Sequence, residues 1–239
     1  MTLSNTILGL VALVPILALS LPFSLDSYLH SLNLSASSLN IPRTLSQSCS
    51  VSNIPVPLGD QTTLSISDDE VSSMITAGRG IQNYTCISGA YVSTGALANL
   101  FDVTCLYALT AGKIDHSIIS SILPKMAFVA LEYPNTDDLP VAIHHLFVDT
   151  PDSTSEGSIS PEFVTDTDRV LVSKTATLDD PYNPAINVPW LKLVGVEGQG
   201  TYAKSVFRIN TFQGQPPSLC TTENEKISVQ YASMYWFTK

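Results

Sequence analysis

The stretch that decides the fold is residues 187–220, NVPWLKLVGVEGQGTYAKSVFRINTFQGQPPSLC. Its side chains alternate between two faces in two runs, which is the pattern of two β-strands. We predict a hairpin whose connection is residues 197–200, because the two glycines there can take the positive φ angles that a tight turn needs. The second strand ends at residues 214–217, GQPP, since proline cannot donate a hydrogen bond to a sheet.

The hairpin also carries two charged residues of interest. On the second strand, alternation places Val206, Arg208 and Asn210 on one face. An arginine that faces inward from an apolar strand needs a carboxylate, a carbonyl or an anionic ligand as its partner. Arg208 is therefore a candidate functional residue, and the alternative is a solvent-facing arginine beside an acidic neighbour. Lys192, on the same face of the first strand as Trp190, has the same two interpretations.

The composition disfavours a nucleic-acid partner. The chain has 239 residues with 11 basic and 21 acidic side chains, and its formal net charge is −10 at pH 7. Nucleic acids are polyanions that bind to basic surfaces, so an acidic chain of this kind is a poor candidate for nucleic-acid binding. Charged residues make up only 13% of the chain, about half of the usual share. We therefore expect a surface rich in uncharged polar residues, as in many secreted β-proteins.

The amino-terminal region predicts a secreted protein of one domain. Residues 1–20 are uncharged and contain an apolar run of about 13 residues, which is short for a membrane span of roughly 20 residues. We interpret residues 1–20 as a signal peptide and expect no membrane span after its cleavage; the alternative is a buried or membrane-anchoring helix. Residues 21–48 are interpreted as a loosely packed arm, and residues 49–239 as the β domain.

Four cysteines are consistent with secretion. An even number behind a signal peptide suggests two disulfides, and four cysteines allow three pairings. Of these we favour Cys86–Cys105 with Cys49–Cys220, and the alternative is buried free thiols.

Secretion would also expose two glycosylation sequons to the enzymes that modify them. Asn33 and Asn83 stand in Asn-x-Ser/Thr sequences and are glycosylation acceptors if the chain enters the secretory pathway. Asn83 falls within a predicted strand, so its use depends on a position that faces solvent.

The rest of the chain predicts a mainly-β domain. Residues 117–130 are the best helix candidate, although Pro124 would kink or split that helix. The acidic residues 149–168 are interpreted as a surface loop. Many short strands without an internal repeat favour a single antiparallel β-barrel or β-sandwich with one or two short helices. The further strands are expected at residues 81–88, 96–104, 141–148, 170–177 and 227–237.

No common catalytic signature is present. The chain contains no GxSxG, HExxH, Walker or dinucleotide-binding motif, and no cysteine–histidine spacing typical of zinc, so we expect neither a metal nor a cofactor. His144 and His145 are adjacent on a strand and point to opposite faces, so they cannot bind one metal together; one of them could line a pocket. Five aromatic residues are candidates for a flat apolar pocket or, alternatively, for the core: Trp190, Tyr84, Tyr231, Tyr235 and Trp236.

Four segments resemble a family of secreted domains of unknown function that is common in filamentous fungi and often mislabelled malate dehydrogenase. The similarity runs from about Cys49 to Phe237. A malate dehydrogenase is not supported, because the nucleotide-binding fingerprint is missing. The segments that carry the resemblance are GRGIQNYTC (78–86), NVPWLKL (187–193), SVFRINTFQGQPPSLC (205–220) and VQYASMYWF (229–237).

In size, signal segment and motif-poor β-rich character the chain also resembles the hetero-Diels–Alderases of fungal tropolonic sesquiterpenoid pathways. The resemblance implies a pericyclase that joins a terpenoid alkene to a quinone-methide-like partner. Such a reaction needs only a shaped apolar pocket and a hydrogen-bond donor. In this interpretation Arg208, Lys192 or His144 polarises the electrophile. The residues that bind the apolar small molecule are Trp190, Tyr84, Tyr235 and Trp236. The alternative is a secreted protein that binds a small molecule or a cell-wall component without catalysis.

Overall fold

The computed structural model describes residues 49–132, 140–155 and 157–239, all within the unit Ser48–Lys239. The predicted signal peptide, the predicted arm and Asn33 lie outside the described residues. No helix in the described part of the chain is long and apolar enough to cross a membrane.

Eight antiparallel strands form a closed barrel. Each strand pairs with the next one along the chain, and the last pairs with the first, so the sheet has no free edge. The expectation of a mainly-β fold with an antiparallel barrel or sandwich is confirmed, and the barrel is the form adopted. The strands are β1 (Ser72–Ile87), β2 (Ala90–Asp102), β3 (Ile143–Asp149), β4 (Ile159–Val164), β5 (Arg169–Leu178), β6 (Trp190–Gly200), β7 (Ser205–Gln213) and β8 (Lys226–Thr238).

Two short α-helices connect β2 to β3. The first, α1, covers Thr104–Thr110, and the second, α2, covers His116–Val129 and is followed by a 3₁₀ turn at Ala130–Glu132. Asp115 caps α2, because its Oδ1 accepts a hydrogen bond of 2.8 Å from the Ser117 amide. The helix continues through Pro124 and is not split there.

The hairpin of β6 and β7 differs from the prediction in its turn. Strand β6 runs through residues 197–200 and the connection is residues 201–204. Gly200 has φ +101° and pairs with Val170 of β5, where a Cβ would lie 2.0 Å from the Arg169 carbonyl oxygen. This glycine therefore permits a close approach of two strands and does not form the turn.

Two further boundaries were wrong in the prediction. The segment 149–168, predicted as a loop, contains β4, which is held by Phe163 opposite His145 of β3. The strand predicted at 96–104 ends at Asp102, and α1 begins two residues later at Thr104, whose amide donates a hydrogen bond of 2.8 Å to the Asp102 carboxylate.

The strands separate two apolar cores, one on each side of the barrel wall. Because side chains alternate along a strand, neighbouring residues contribute to different cores. The lumen core fills the barrel and comprises Ala96, Ala98, Leu100, Ile143, Phe163, Val170, Val172, Val188, Leu193, Ala203, Val206, Tyr231, Tyr235 and Phe237. The outer core lies between the wall, the helices and residues 51–64 and comprises Val51, Ile54, Val56, Leu64, Ile75, Ala77, Tyr107, Ile119, Trp190, Phe207, Ile209, Met234 and Trp236.

Asn83 lies in the middle of β1, half-buried, and its Oδ1 accepts a hydrogen bond of 2.7 Å from the Ser228 hydroxyl. Glycosylation of Asn83 stays a prediction.

All four cysteines form disulfides, but the favoured pairing was wrong. The bonds are Cys49–Cys105 and Cys86–Cys220, with Cα–Cα distances of 5.0 and 5.9 Å. The first attaches the start of the domain to α1. The second attaches the end of β1 to the segment before β8, where the Cys220 amide donates to the Gly89 carbonyl oxygen. Two disulfides indicate folding in an oxidising environment.

Mass spectrometry of the proteolysed, unreduced protein should show this pairing directly. We expect two cross-linked peptide pairs, Cys49 with Cys105 and Cys86 with Cys220, because only these sulfur atoms are within bonding distance. The reduced sample is the control, in which both pairs must disappear. A peptide joining Cys86 to Cys105 would contradict the arrangement of α1 against the barrel.

Candidate functional site

A buried arginine stands inside the barrel. Arg208 of β7 lies between Leu191 of β6 and Tyr235 of β8, and only 7% of the residue is exposed. Its Nη2 donates a hydrogen bond of 2.9 Å to the Pro189 carbonyl oxygen, whereas its Nε finds no acceptor among the described residues. No carboxylate in the described ranges lies within ion-pair distance of this guanidinium. Within these ranges the charge of Arg208 is therefore buried without a counter-charge, an arrangement that costs free energy.

Two tyrosines of β8 lie next to this guanidinium. The Tyr231 and Tyr235 hydroxyl groups are 2.7 Å apart, both residues are fully buried, and the guanidinium carbon of Arg208 lies 6.0 Å from the Tyr231 ring centroid. Burial raises the pKa of both tyrosines above the usual value, and the charge of Arg208 offsets only part of this increase. Both side chains are consequently neutral hydrogen-bonding groups at physiological pH.

A third tyrosine extends the cluster towards β1. The Tyr84 hydroxyl donates a hydrogen bond of 2.8 Å to the Gly214 carbonyl oxygen. Burial raises the pKa of Tyr84 to about 12, against the effect of the nearby Arg208 charge. Arg208, Tyr84, Tyr231 and Tyr235 form the group that we call the lumen cluster.

Small residues make room for these rings. A Cβ at Gly78 would lie 2.6 Å from the Tyr235 Cε2, and a Cβ at Gly214, where φ is +97°, would lie 2.8 Å from the Tyr231 Cβ. The lumen cluster therefore requires glycine at both positions, because a side chain at either one would displace a tyrosine.

His145 adds a neutral imidazole to the same side of the wall. Its ring stacks on Phe163 at 4.4 Å, and its centroid lies 6.0 Å from the Tyr235 ring. Its Nδ1 lies 3.0 Å from the Glu162 carbonyl oxygen, so Nδ1 carries the proton and Nε2 is an acceptor. Burial lowers the pKa of His145 to about 4, and the Arg208 charge also lowers it, against the opposing effect of the Glu162 hydrogen bond.

The other two predicted polarising residues do not join Arg208. His144 is exposed on the outer side of β3 with its Nδ1 3.0 Å from the Asn99 Oδ1. The Lys192 ammonium stands 5.6 Å from the Phe207 ring centroid and donates to a main-chain carbonyl outside the barrel. Alternation explains both positions, because the pair Lys192–Phe207 and the pair Leu191–Arg208 point to opposite sides of the sheet.

The predicted aromatic residues divide in the same way. Tyr84 and Tyr235 belong to the lumen cluster, whereas Trp190 and Trp236 lie in the outer core. The Trp190 Nε1 donates a hydrogen bond of 2.9 Å to Asp180. Trp236 packs edge-on against Tyr107 at 5.2 Å. The single pocket that was expected to hold all seven predicted residues is therefore replaced by a lumen cluster and a separate outer surface.

Tyr231 was one of the aromatic pocket candidates, and the sequence left open which of the two adjacent histidines lines a pocket, but neither Tyr231 nor His145 was among the residues chosen for the site. Both could have been found from alternation, because Tyr231 shares a face of β8 with Tyr235, and His145 shares a face of β3 with Phe147. Among the described residues no three His, Cys, Asp or Glu side chains are placed to hold a metal ion. The lumen cluster offers hydrogen-bond donors and one fixed positive charge, which suit an oxygen atom that carries negative charge.

The buried imidazole predicts a loss of stability in acid. An unfolded histidine binds a proton below about pH 6.5, whereas folded His145 resists protonation down to about pH 4, so stability decreases as the pH falls through this interval and is unaffected above it. Between about pH 7 and about pH 4.5 we expect the wild-type protein to lose on the order of 2 kcal/mol more unfolding free energy than His145→Asn. Urea denaturation at both pH values measures this difference.

The matched control is His144→Asn, which changes the neighbouring exposed histidine. This variant should retain the full pH dependence of the wild-type protein. Equal pH dependence in His145→Asn and the wild-type protein would show that His145 is not held neutral by burial.

Comparison with known proteins identifies the family and no relative of known activity. No curated protein and no solved structure matches the chain. A model of a family described as a protein of unknown function, DUF3455, matches residues 67–239, which contain the whole barrel and the lumen cluster. The chain therefore belongs to the DUF3455 family.

Proposed function

We propose that the protein is a cofactor-independent pericyclase of fungal secondary metabolism that acts in the secretory pathway or outside the cell. It joins an apolar terpenoid alkene to a quinone-methide-type partner whose carbonyl oxygen accepts hydrogen bonds from Arg208. The observation that carries the proposal is the buried Arg208 guanidinium, whose Nε has no acceptor among the described residues and which has tyrosines around it.

The reaction is a hetero-Diels–Alder addition. The quinone methide contributes the four atoms C=C–C=O and the alkene contributes two carbons. One C–C bond and one C–O bond form, three π bonds become one, and no group leaves. Because atoms and electrons balance within the two partners, the protein has to supply only geometry and polarisation.

Arg208 supplies the polarisation in this proposal. As the new bonds form, negative charge develops on the quinone-methide oxygen. A fixed guanidinium in a low-dielectric interior stabilises that charge more strongly than water does. No carboxylate of the described residues pairs with this buried charge, which is expensive for folding, and an interaction with a ligand would account for its presence.

The tyrosines supply the walls and further hydrogen bonds. Because burial keeps Tyr231 and Tyr235 in their neutral forms, they donate hydrogen bonds and do not compete with Arg208 as anions. Their rings and the stacked His145–Phe163 pair are flat and apolar, which suits contact with a conjugated ring and a terpenoid chain. Because these side chains are buried in the lumen core, the substrates have to displace part of that packing to reach Arg208.

The second candidate function is a carrier without catalysis. The same lumen cluster would bind an oxygen-bearing apolar molecule in either case. A carrier is favoured by His145, because its Nε2 stays unprotonated over the physiological range and no step of the proposed addition requires a base.

The test uses the purified disulfide-bonded protein with a monocyclic sesquiterpene alkene and an ortho-quinone methide released in the assay from its hydroxymethylphenol precursor. We expect an adduct with the summed mass of the two partners, formed faster and with a different stereoisomer ratio than with heat-denatured protein. Arg208→Met should lower the enzymatic rate by about 100-fold, as expected when a donor to a developing oxyanion is removed. Chiral chromatography with mass spectrometry measures both quantities.

The control is Lys192→Met, which removes a positive charge from the outer side of the same sheet. This variant should retain the wild-type rate and stereoisomer ratio. A rate that is unchanged in Arg208→Met would refute the role of the guanidinium, and a protein that retains the terpenoid without forming an adduct would be a carrier.

A further inference from the structure

A pocket lies on the outer side of the barrel wall, separate from the lumen cluster. Its cavity volume is about 240 Å³, and it is lined by residues 57–61, Ser117, Pro181, Tyr182, Trp190 and Asn210. The lining comes from the segment before β1, the start of α2, the segment before β6 and the end of β7. This volume is below the roughly 300–1,000 Å³ of pockets for drug-sized ligands, so it suits a single small ring.

Asn210 carries an unsatisfied acceptor in this pocket. The residue is 8% exposed, and its Oδ1 has no hydrogen-bond donor among the described residues. It lies in a β-bulge between Ile209 and Phe212 and has φ +48°, a left-handed conformation in a strand. This conformation brings Asn210 to the same pocket as Trp190, although simple alternation placed it on the face of Arg208. A buried acceptor without a donor costs about 1–3 kcal/mol, so it requires an explanation.

Two aromatic rings form the apolar part of the pocket. The Trp190 Nε1 is committed to Asp180, so only the ring carbons of Trp190 are left to contact an occupant. The Tyr182 ring centroid lies 6.2 Å from that of Trp190, and Tyr182 is 75% exposed. An aromatic residue so exposed beside a cavity offers a flat face to a ligand from solvent.

Asp180 holds this aromatic wall in place. The residue is 2% exposed, and its Oδ1 accepts hydrogen bonds from the amides of Tyr182 at 3.0 Å and Asn183 at 2.7 Å and from the Asn187 side chain at 3.1 Å. Its Oδ2 accepts from Trp190. The two aromatic residues are thus attached to one buried carboxylate, which fixes the pocket before any ligand binds.

The remaining polar groups of the pocket favour a ligand with several hydroxyl groups. Asp60 is an exposed carboxylate at the rim of the pocket, and Asn210 Oδ1 is an unsatisfied acceptor inside the pocket. Both can accept hydrogen bonds from a ligand. Gln61 is committed, because its amide pairs with both the amide and the carbonyl of Leu64. Ser117 can donate or accept. The free groups are therefore mostly acceptors, and a ligand has to bring the donors.

We propose that this outer pocket binds a sugar residue. A pyranose ring has hydroxyl groups that donate to Asn210 Oδ1 and to the Asp60 carboxylate, and it has an apolar face of C–H groups that packs on Tyr182 and Trp190. It is neutral, and it suits a pocket of this volume. The site is independent of Arg208, so it applies whether or not the barrel is a pericyclase.

The test is binding of free glucose, galactose, mannose, N-acetylglucosamine and their β-linked oligomers to the full disulfide-bonded chain. Saturation-transfer NMR and tryptophan fluorescence are the readouts. We expect at least one of these sugars to bind with millimolar or better affinity. Binding should weaken by about tenfold or more in Asn210→Gly and in Tyr182→Ala.

Both variants are expected to fold. Asn210→Gly places glycine at a positive φ, which glycine adopts without strain, and Tyr182 is largely exposed. Tyr91→Ala is the matched control, because Tyr91 lies on β2 away from the pocket and should leave sugar binding unchanged. The proposal is overturned if no sugar of the panel binds, if binding is unchanged in the two pocket variants, or if only an amine such as choline competes for the site.

Discussion

The positive charge of Arg208 inside the barrel is the constraint that gives this structure its character. Arg208 is 7% exposed, and its guanidinium is hydrogen-bonded to the Pro189 carbonyl oxygen and to the Tyr235 side chain. Without a carboxylate partner among the described residues, its charge lowers the stability of the folded state. The closed sheet tolerates it because the tyrosine hydroxyls and the Pro189 carbonyl place the negative ends of their dipoles near the charge. By contrast, Arg169 has a carboxylate, Glu162, at 2.6 Å. Among the described residues, Gln82 and Trp236 also have a buried nitrogen donor without an acceptor, but of these three side chains Arg208 is the one that carries a positive charge.

The rest of the architecture supports that environment from both sides of the wall. Gly78 and Gly214 make space for Tyr235 and Tyr231 inside the barrel. Outside, the helices and residues 51–64 cover the apolar face of β7 and β8, and the disulfide Cys49–Cys105 attaches the beginning of this cover to α1. The wall between the two cores is a single sheet, so Leu191 and Trp190, which are adjacent in sequence, lie in different environments.

Alternation was sufficient to predict the class of fold, and it singled out Arg208 as a candidate that the structure places in the barrel interior. Alternation could not predict closure, because the pairing of β1 with β8 joins residues that are far apart in sequence. Disulfide pairing failed for the same reason: Cys86 meets Cys220 through the end of the barrel, at a sequence separation of 134. The bulge at Asn210 and the close strand approach at Gly200 interrupt simple patterns, so the outer pocket was not foreseen.

The account rests on Arg208 being kept for a ligand and not for stability, and the unfolding free energy of Arg208→Met without ligand tests this most directly. We expect it to equal or exceed that of the wild-type protein, because methionine fills a similar volume and removes an uncompensated buried charge. Arg169→Met is the reference, since it strands the nearly buried Glu162 carboxylate and should destabilise the protein. A loss of about 3 kcal/mol or more in Arg208→Met would contradict the account, because losses of that size follow removal of a structural ion-pair partner.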